Sequence, residues 1–447
     1  MSLLRDPASL LAGLRADGAP ALTYYPPVFP TSPASPSTSR AGADRCPGVV
    51  RLAEAADGFL ARVRLPGGLV SAGQLRALSR LAGELGDGRV ELTSRGNVQL
   101  RGLAAGAAER LTEGLSQAGL LPSLSHDQVR NVLASPLAGL DGGLDLTGIV
   151  RALDAALCAR PRLAELSGRF LFAVDDGRGD VAGLGADVVA TVRPDGAVVN
   201  GLSVRRADVR GGNVPDDQRD AVAAAMLACA EAFLDQRAEL GATALGRTEL
   251  GSTAWRIADL PGGAERVRAA VAARLDLATV TWEQAAVPAG RPVGLVTGQE
   301  TGGGAESPPY VRDNSGTSAV LLAPLGRLTS AQLTWVADRI GRGAARITPW
   351  RSVVLPGLPD AAGVLRDAAG LGFGVDDASP WLRVTACAGR PGCASALADV
   401  QSDAAAFAAR WPRRLVHVSG CGRHCGRPAA TEIDVTATSE GYQIAGA

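Results

Sequence analysis

A chain of 447 residues with 46% hydrophobic content can bury sizeable cores and predicts two to four soluble domains. Its 45 basic residues balance its 45 acidic ones, so charge offers no footprint for nucleic acid. All of the basic residues are arginine: no lysine Schiff base can form, and every anionic partner must meet a planar guanidinium fork. A GC-rich coding bias would produce the same composition, yet the chemical exclusion stands. No run of about 20 apolar residues could span a membrane and no charged-then-apolar leader is seen, which predicts a cytoplasmic protein with no membrane partner.

Residues 1–45 are rich in proline, serine and alanine and read as a flexible extension. Order is expected from Cys46-Pro-Gly onward, with Cys46, far from the other cysteines, in a structural role. Residues 59–65 alternate as a strand, Pro66-Gly-Gly turns, and Ser71 caps a helix to Leu85 with Leu75, Leu78 and Leu81 on one face. Residues 90–103 predict two short strands around a Ser94–Gly96 bend. Period two then puts Arg95, Asn97, Gln99 and Arg101 on one face and Val98 and Leu100 on the other. Such a polar row can hydrogen-bond a flat polyanion, although an ordinary solvated face has the same pattern.

The segment from Pro66 to Leu103 is retraced by Pro324–Leu358: Thr348 falls on Thr93, Gly357 on Gly102 and Leu358 on Leu103. Trp350, Ser352 and Val354 replace Arg95, Asn97 and Gln99, so one copy alone carries the polar row. Two copies of one strand–helix–strand unit can pair about a pseudo-twofold axis. Between them lie a polar-then-apolar element at 127–136 and a helix over 147–160. Strands near 168–174, 187–193 and 198–202 and a long helix over 216–238 follow, with Cys158 and Cys229 as core residues. The stretch 297–317 reads as a linker, and Gly372-Phe-Gly374 lacks the rest of a dinucleotide fingerprint.

Beyond the repeat come a helix over 360–370 and a strand into Cys387-Ala-Gly-Arg-Pro-Gly-Cys393. A helix over 395–410 and a strand over 415–419 then lead to Cys421-Gly-Arg-His-Cys425. A helix starting just after Cys393 would aim its N–H groups at an anionic group. Thiolates converging from two glycine-rich segments fit an iron–sulfur cluster. Zinc remains an alternative, although the five-residue gap between Cys387 and Cys393 is wide for a structural zinc pair. Disulfides have little reason to form in such a chain.

The cysteine spacing, Leu92-Thr-Ser-Arg-Gly-Asn-Val-Gln-Leu and Val129-Arg-Asn-Val-Leu together resemble the siroheme sulfite and nitrite reductase superfamily. The resemblance implies an α+β fold. Two ferredoxin-like half-domains (46–120 and 281–360) form a pseudo-twofold platform, beside two sulfite/nitrite-reductase-type α+β domains, 121–280 without a cluster and 361–447 with one. Cys387, Cys393, Cys421 and Cys425 would hold a 4Fe–4S cluster, and Arg95, Asn97, Gln99, Arg101, Arg130 and Arg169 would bind the tetrapyrrole. Within the superfamily, Cys46-Pro-Gly-Val, Arg64-Leu-Pro-Gly-Gly, Arg130-Asn-Val-Leu-Ala-Ser-Pro and the run from Cys387 to Asp399 are most similar to the precorrin-3B synthases.

That family implies mono-oxygenation of precorrin-3A by O2, with γ-lactone formation, in aerobic cobalamin biosynthesis. Electrons would come ultimately from NADH through a separate reductase or ferredoxin, and a non-haem iron is associated with the family. His126, His417 and His424 are the only histidines for its usual two-histidine, one-carboxylate set, so no ligands are assigned to it. His424 stands where relatives carry a small residue. The sulfite reductases place a lysine pair where this chain has Arg169 and Leu171, and arginine is a poor proton donor. A siroheme-dependent sulfite or nitrite reductase is the alternative, and a non-catalytic tetrapyrrole-binding or electron-relay protein a third.

Overall fold

The computed structural model describes residues 46–140, 143–204, 213–243, 254–280, 293–296 and 317–446. The extension over 1–45 and the linker over 297–316 lie outside the described residues. The first repeat builds β1 (Ala53–Ala55), β2 (Gly58–Val63), β3 (Leu69–Ser71), α1 (Ala72–Leu85), β4 (Arg89–Leu92), β5 (Val98–Leu103) and α2 (Ala107–Gln117). Ser71 caps α1 as its sequence demands: its Oγ accepts from Gln74 N while the Gln74 side chain accepts from Ser71 N.

The second unit comprises β6 (Val132–Ala134), α3 (Thr147–Cys158), β7 (Phe172–Asp175), β8 (Val188–Arg193), β9 (Gly196–Val199), β10 (Leu202–Val204), α4 (Asp216–Thr243) and α5 (Gly263–Leu275). The second repeat gives β11 (Gly294–Val296), β12 (Thr317–Leu322), β13 (Arg327–Thr329), α6 (Ser330–Ile340), β14 (Ala344–Ile347), β15 (Ser352–Leu358) and α7 (Ala361–Gly370). The last unit holds β16 (Val384–Ala386), α8 (Val400–Arg410), β17 (Val416–Ser419), β18 (Ile433–Thr438) and β19 (Gly441–Ala445).

The two repeats are interlocked rather than merely adjacent. One sheet runs β1-β2-β5-β4-β13 and the other β11-β12-β15-β14-β3, so each repeat lends its short strand to the other's edge. The registers match: Leu328 opposes Val90, and Val70 opposes Ala345. Exchanged strands leave neither inner edge unpaired. Helices α1 and α6 pack together above, and Leu78, Leu100, Leu333 and Val353 share one core. The copies agree down to single hydrogen bonds. Thr93 Oγ1 accepts from Arg95 N and Asn97 N, and Thr348 Oγ1 from Trp350 N and Ser352 N. Leu100 is fully buried in this shared core, so Leu100→Ala is expected to cost about 2–5 kcal/mol in chemical denaturation.

The other two units share a second topology. In each, three parallel strands are followed by an antiparallel hairpin partner: β6-β7-β8-β9 in one and β16-β17-β18-β19 in the other. The equivalence reaches the loops. Gly420 N donates to Cys387 Sγ at 3.1 Å, and Asp176 N donates to Ser135 Oγ at 3.2 Å, each joining the residue after the first strand to the end of the second. Ser135 is thus the oxygen counterpart of Cys387.

Three local expectations change. The strand read near 168–174 starts only at Phe172, because Phe170 and Arg169 sit in the turn before it; Phe170 packs on Phe172 and Phe233 instead. The helix expected from 395 begins at Val400, where Asp399 accepts from Ser402 N. Its N-terminus therefore does not follow Cys393 directly. The polar row is not one strand face either: β5 begins at Val98, leaving Arg95 in the Thr93 turn and Asn97 at its exit.

Candidate functional site

The four array cysteines form no disulfide and lie on two neighbouring loops. Strands β16 and β17 run parallel and side by side, and their C-terminal ends deliver Cys387 and Cys421 together. The first loop folds on itself through Cys393 N to Gly389 O (2.8 Å) and Arg390 N to Ala398 O (2.9 Å). Leu397 N to Gly420 O (2.8 Å) then binds it to the second loop. Cys387, Cys393 and Cys421 are half-buried and Cys425 is exposed. The amide of Gly420 already points at one sulfur, as cluster ligation requires. Among the described residues no three of these sulfurs lie within 4.8 Å of one another. Four thiolates on one zinc ion would sit about 3.8 Å apart. As placed, the described sulfurs do not make a preformed tetrahedral single-ion site.

His417 and His424 flank this loop pair. His417 is fully buried, with Nδ1 2.8 Å from Thr385 Oγ1, and burial pushes its pKa down to about 4. It is a neutral ring beneath the loops. His424 holds a left-handed backbone, φ 48°, a region that favours glycine over a residue with a side chain. His126 lies elsewhere, between Ser123, Ser125 and the Arg160 carbonyl. His417, His424 and Asp434 share one electrostatic neighbourhood, although among the described residues no two histidine nitrogens and a carboxylate oxygen gather within 4.8 Å of one another.

The six expected tetrapyrrole residues divide. Arg95 reaches from the Thr93 turn to donate Nη1 to the Gly168 carbonyl at 3.2 Å. Arg169, next along, lies with its guanidinium 4.0 Å from the Trp255 ring centroid. Neither meets a carboxylate among the described residues, so both retain charge for an anion. Arg130 instead grips Asp154 through two 2.7 Å bonds and donates to Leu120 O. Arg101 grips Asp57 and Gly392. Gln99 is tied between Arg62 and Glu91. Asn97, fully buried, accepts from Leu65 N at 2.9 Å and donates to Asn131 Oδ1 at 3.1 Å. Asn97→Ala orphans a buried amide N–H and is expected to cost about 1–3 kcal/mol in urea unfolding.

Sequence reading missed the cations around Arg95. Burial pushes Arg64 down to about 9, helped by Arg62, and Arg62 and Arg95 are lowered as well, chiefly by burial. Arg256 adds to the pressure on Arg95. Guanidinium groups crowded in a half-buried place repel one another, and an incoming carboxylate relieves that repulsion. The signal was present: Arg62 and Arg64 fall two apart on one strand, hence on one side.

This chain matches the nitrite/sulfite reductase ferredoxin-like half domain over residues 52–118, the repeat that carries Arg95. It is 28% identical to a precorrin-3B synthase from Sinorhizobium sp. over 93% of this chain and 86% of that protein. A ferredoxin–nitrite reductase of Synechococcus elongatus is 27% identical over 84% of this chain and 75% of its own length. The solved Mycobacterium tuberculosis NirA protein superposes with a TM-score of 0.58 at 21% identity, covering 86% of this chain and 74% of that one. The chain thus carries a nitrite/sulfite reductase ferredoxin-like half domain and shares the fold of the NirA protein. The interlocked repeats form one platform, and the last unit carries Cys387, Cys393, Cys421 and Cys425, four of the seven cysteines. In the other α+β unit, Asp175, Asp176 and Asp180 gather within 4.8 Å. Asp175 is spent on the amides of Gly177, Gly179, Val181 and Ala182, Asp176 on Arg178, and Asp180 on Ser135. They close that loop where the cysteines open the other.

Burial pushes the Asp180 carboxyl up to about 7. Between about pH 4 and that value the folded chain keeps a proton that the unfolded chain has lost, so stability falls as pH rises through this window. Asp180→Asn, which still accepts from Ser135, is expected to flatten that fall; thermal melts at pH 4 and pH 8 check it.

Proposed function

We propose that this chain is a precorrin-3B synthase-like mono-oxygenase that hydroxylates precorrin-3A with γ-lactone formation. The observation that carries the reading is the pair Arg95 and Arg169, unpaired by any described carboxylate, in a chain without lysine. A macrocycle bearing acetate and propionate arms needs guanidinium forks, and Arg95 with Arg62 beside it supplies them. Arg169 lies against the Trp255 ring, and a guanidinium there suits binding a carboxylate better than feeding protons to a bound oxyanion. Repeated proton delivery, which sulfite or nitrite reduction demands, finds no lysine to serve it in this sequence. A 4Fe–4S cluster held by Cys387, Cys393, Cys421 and Cys425 would supply electrons one at a time.

The reaction takes one oxygen atom of O2 into the product and releases the other as water, consuming two electrons from a separate reductase or ferredoxin and ultimately from NADH. The acetate arm that closes the lactone must lie against the ring carbon that is hydroxylated, and the fixed guanidinium groups restrict where that arm can lie. The test is incubation of anaerobically purified protein with precorrin-3A, a reductant and O2, read by mass spectrometry, together with absorption and EPR spectra. A product heavier by one oxygen, with iron–sulfur absorption and no siroheme bands, is expected. Bound siroheme magnetically coupled to the cluster would overturn the reading in favour of an anion reductase.

A further inference from the structure

Arg101 belongs to the polar row by sequence, yet its guanidinium serves a different seam. Nε and Nη2 meet the two oxygens of Asp57, each at 3.0 Å, and Nη2 also donates to the Gly392 carbonyl at 3.0 Å. Asp57 stands in the turn between β1 and β2, and Gly392 immediately precedes Cys393. The pair is nearly out of water, with side-chain exposures of 11% and 12%. A Cβ on Gly392 would fall 2.7 Å from Arg101 Nη2 and 3.4 Å from Asp57 Oδ2, so a side chain there would push the guanidinium out of this contact. One bidentate ion pair thus joins the platform to the cysteine loop.

We propose that Arg101 and Asp57 are positioning residues that fix Cys393 against the platform and set the reduction potential of the group the cysteines hold. The inference rests on the reading of those cysteines as 4Fe–4S ligands. The Gly392 carbonyl belongs to the peptide that carries Cys393 N–H, so the guanidinium polarises the peptide next to a ligand sulfur. A positive charge there favours the added electron, and the Asp57 carboxylate offsets it. Removing either charge in a half-buried place leaves the other uncompensated, with opposite consequences for an electron arriving at the sulfurs. The same contact also ties macrocycle and electron source into one rigid body, since Arg101 lies on β5, the strand that follows the Thr93 turn.

The test is an EPR-monitored redox titration of Arg101→Gln, Asp57→Asn and Arg101→Lys, with iron and sulfide counted in each and in the unmodified protein. Arg101→Gln is expected to be harder to reduce by about tenfold, a midpoint shift of about 59 mV for one electron, and Asp57→Asn easier by a similar factor. Arg101→Lys keeps the charge and stays near the parent value. Loss of iron from Arg101→Gln but not from Arg101→Lys also supports positioning. Shifts of the same sign in the Gln and Asn variants, no shift in either, or iron loss from Arg101→Lys as well, would overturn the proposal. An unmodified protein devoid of iron and sulfide would instead overturn the cluster reading, and this inference with it.

Discussion

Replacing Cys421 and Cys425 together by alanine is expected to strip the protein of about four iron and four sulfide per chain and of its broad visible absorption. The fold should survive. The core of the last unit is Val384, Val400, Val416, Val418, Ile433 and Val435, and neither sulfur contributes to it. Cys425 is exposed and Cys421 half-buried, so two small deletions on a loop remove little apolar surface. Far-ultraviolet circular dichroism and the urea midpoint should therefore change little while the iron analysis collapses. Iron and sulfide contents equal to those of the unmodified protein would remove the cluster assignment altogether. Tightly bound zinc in the unmodified protein, displaced by the same substitutions, would return the single-ion alternative despite the wide sulfur spacing.

Arg95→Ala is expected to weaken precorrin-3A binding by about 10- to 100-fold, the value of one charge-assisted hydrogen bond, with the iron content unchanged. The one described hydrogen bond of its side chain is to the Gly168 carbonyl, and the remaining guanidinium donors have no described partner. Arg95→Lys should recover part of the loss, because the charge stays while the fork is gone. Anaerobic absorption titration with precorrin-3A measures both. The contrast with Arg130→Ala is informative: Arg130 is spent on Asp154, so its loss should appear as instability rather than as weak binding. Unchanged affinity in Arg95→Ala would separate the cation cluster from the substrate.

Much of the platform was legible in the linear chain because its signals are local. Ser71 with Gln74, and Thr329 with Gln332, declare helix starts through contacts three residues apart. The Thr93 and Thr348 turns repeat the same side-chain-to-backbone bonds, so an internal copy is visible before any fold is known. The cysteines were legible for a related reason: glycine-spaced thiols within 39 residues carry their chemistry in their order.

What only the tertiary structure decided is which partner each charge meets. Arg95, Arg101, Arg130 and Arg169 are alike as residues, and alternation along a strand treats them alike. Asp154 lies 24 residues from Arg130 and claims it; Asp57 lies 44 residues from Arg101, and Gly392 lies 291 away. Arg95 and Arg169 escape such claims. The exchange of β3 and β13 between the repeats was equally invisible, because strand pairing is set by long-range register and not by composition. Residue chemistry and spacing determined the repeat and singled out the four array cysteines. Long-range hydrogen bonding decided which cations remain to hold a ligand, because a buried carboxylate neutralises the guanidinium it grips and occupies the fork that an incoming carboxylate would use.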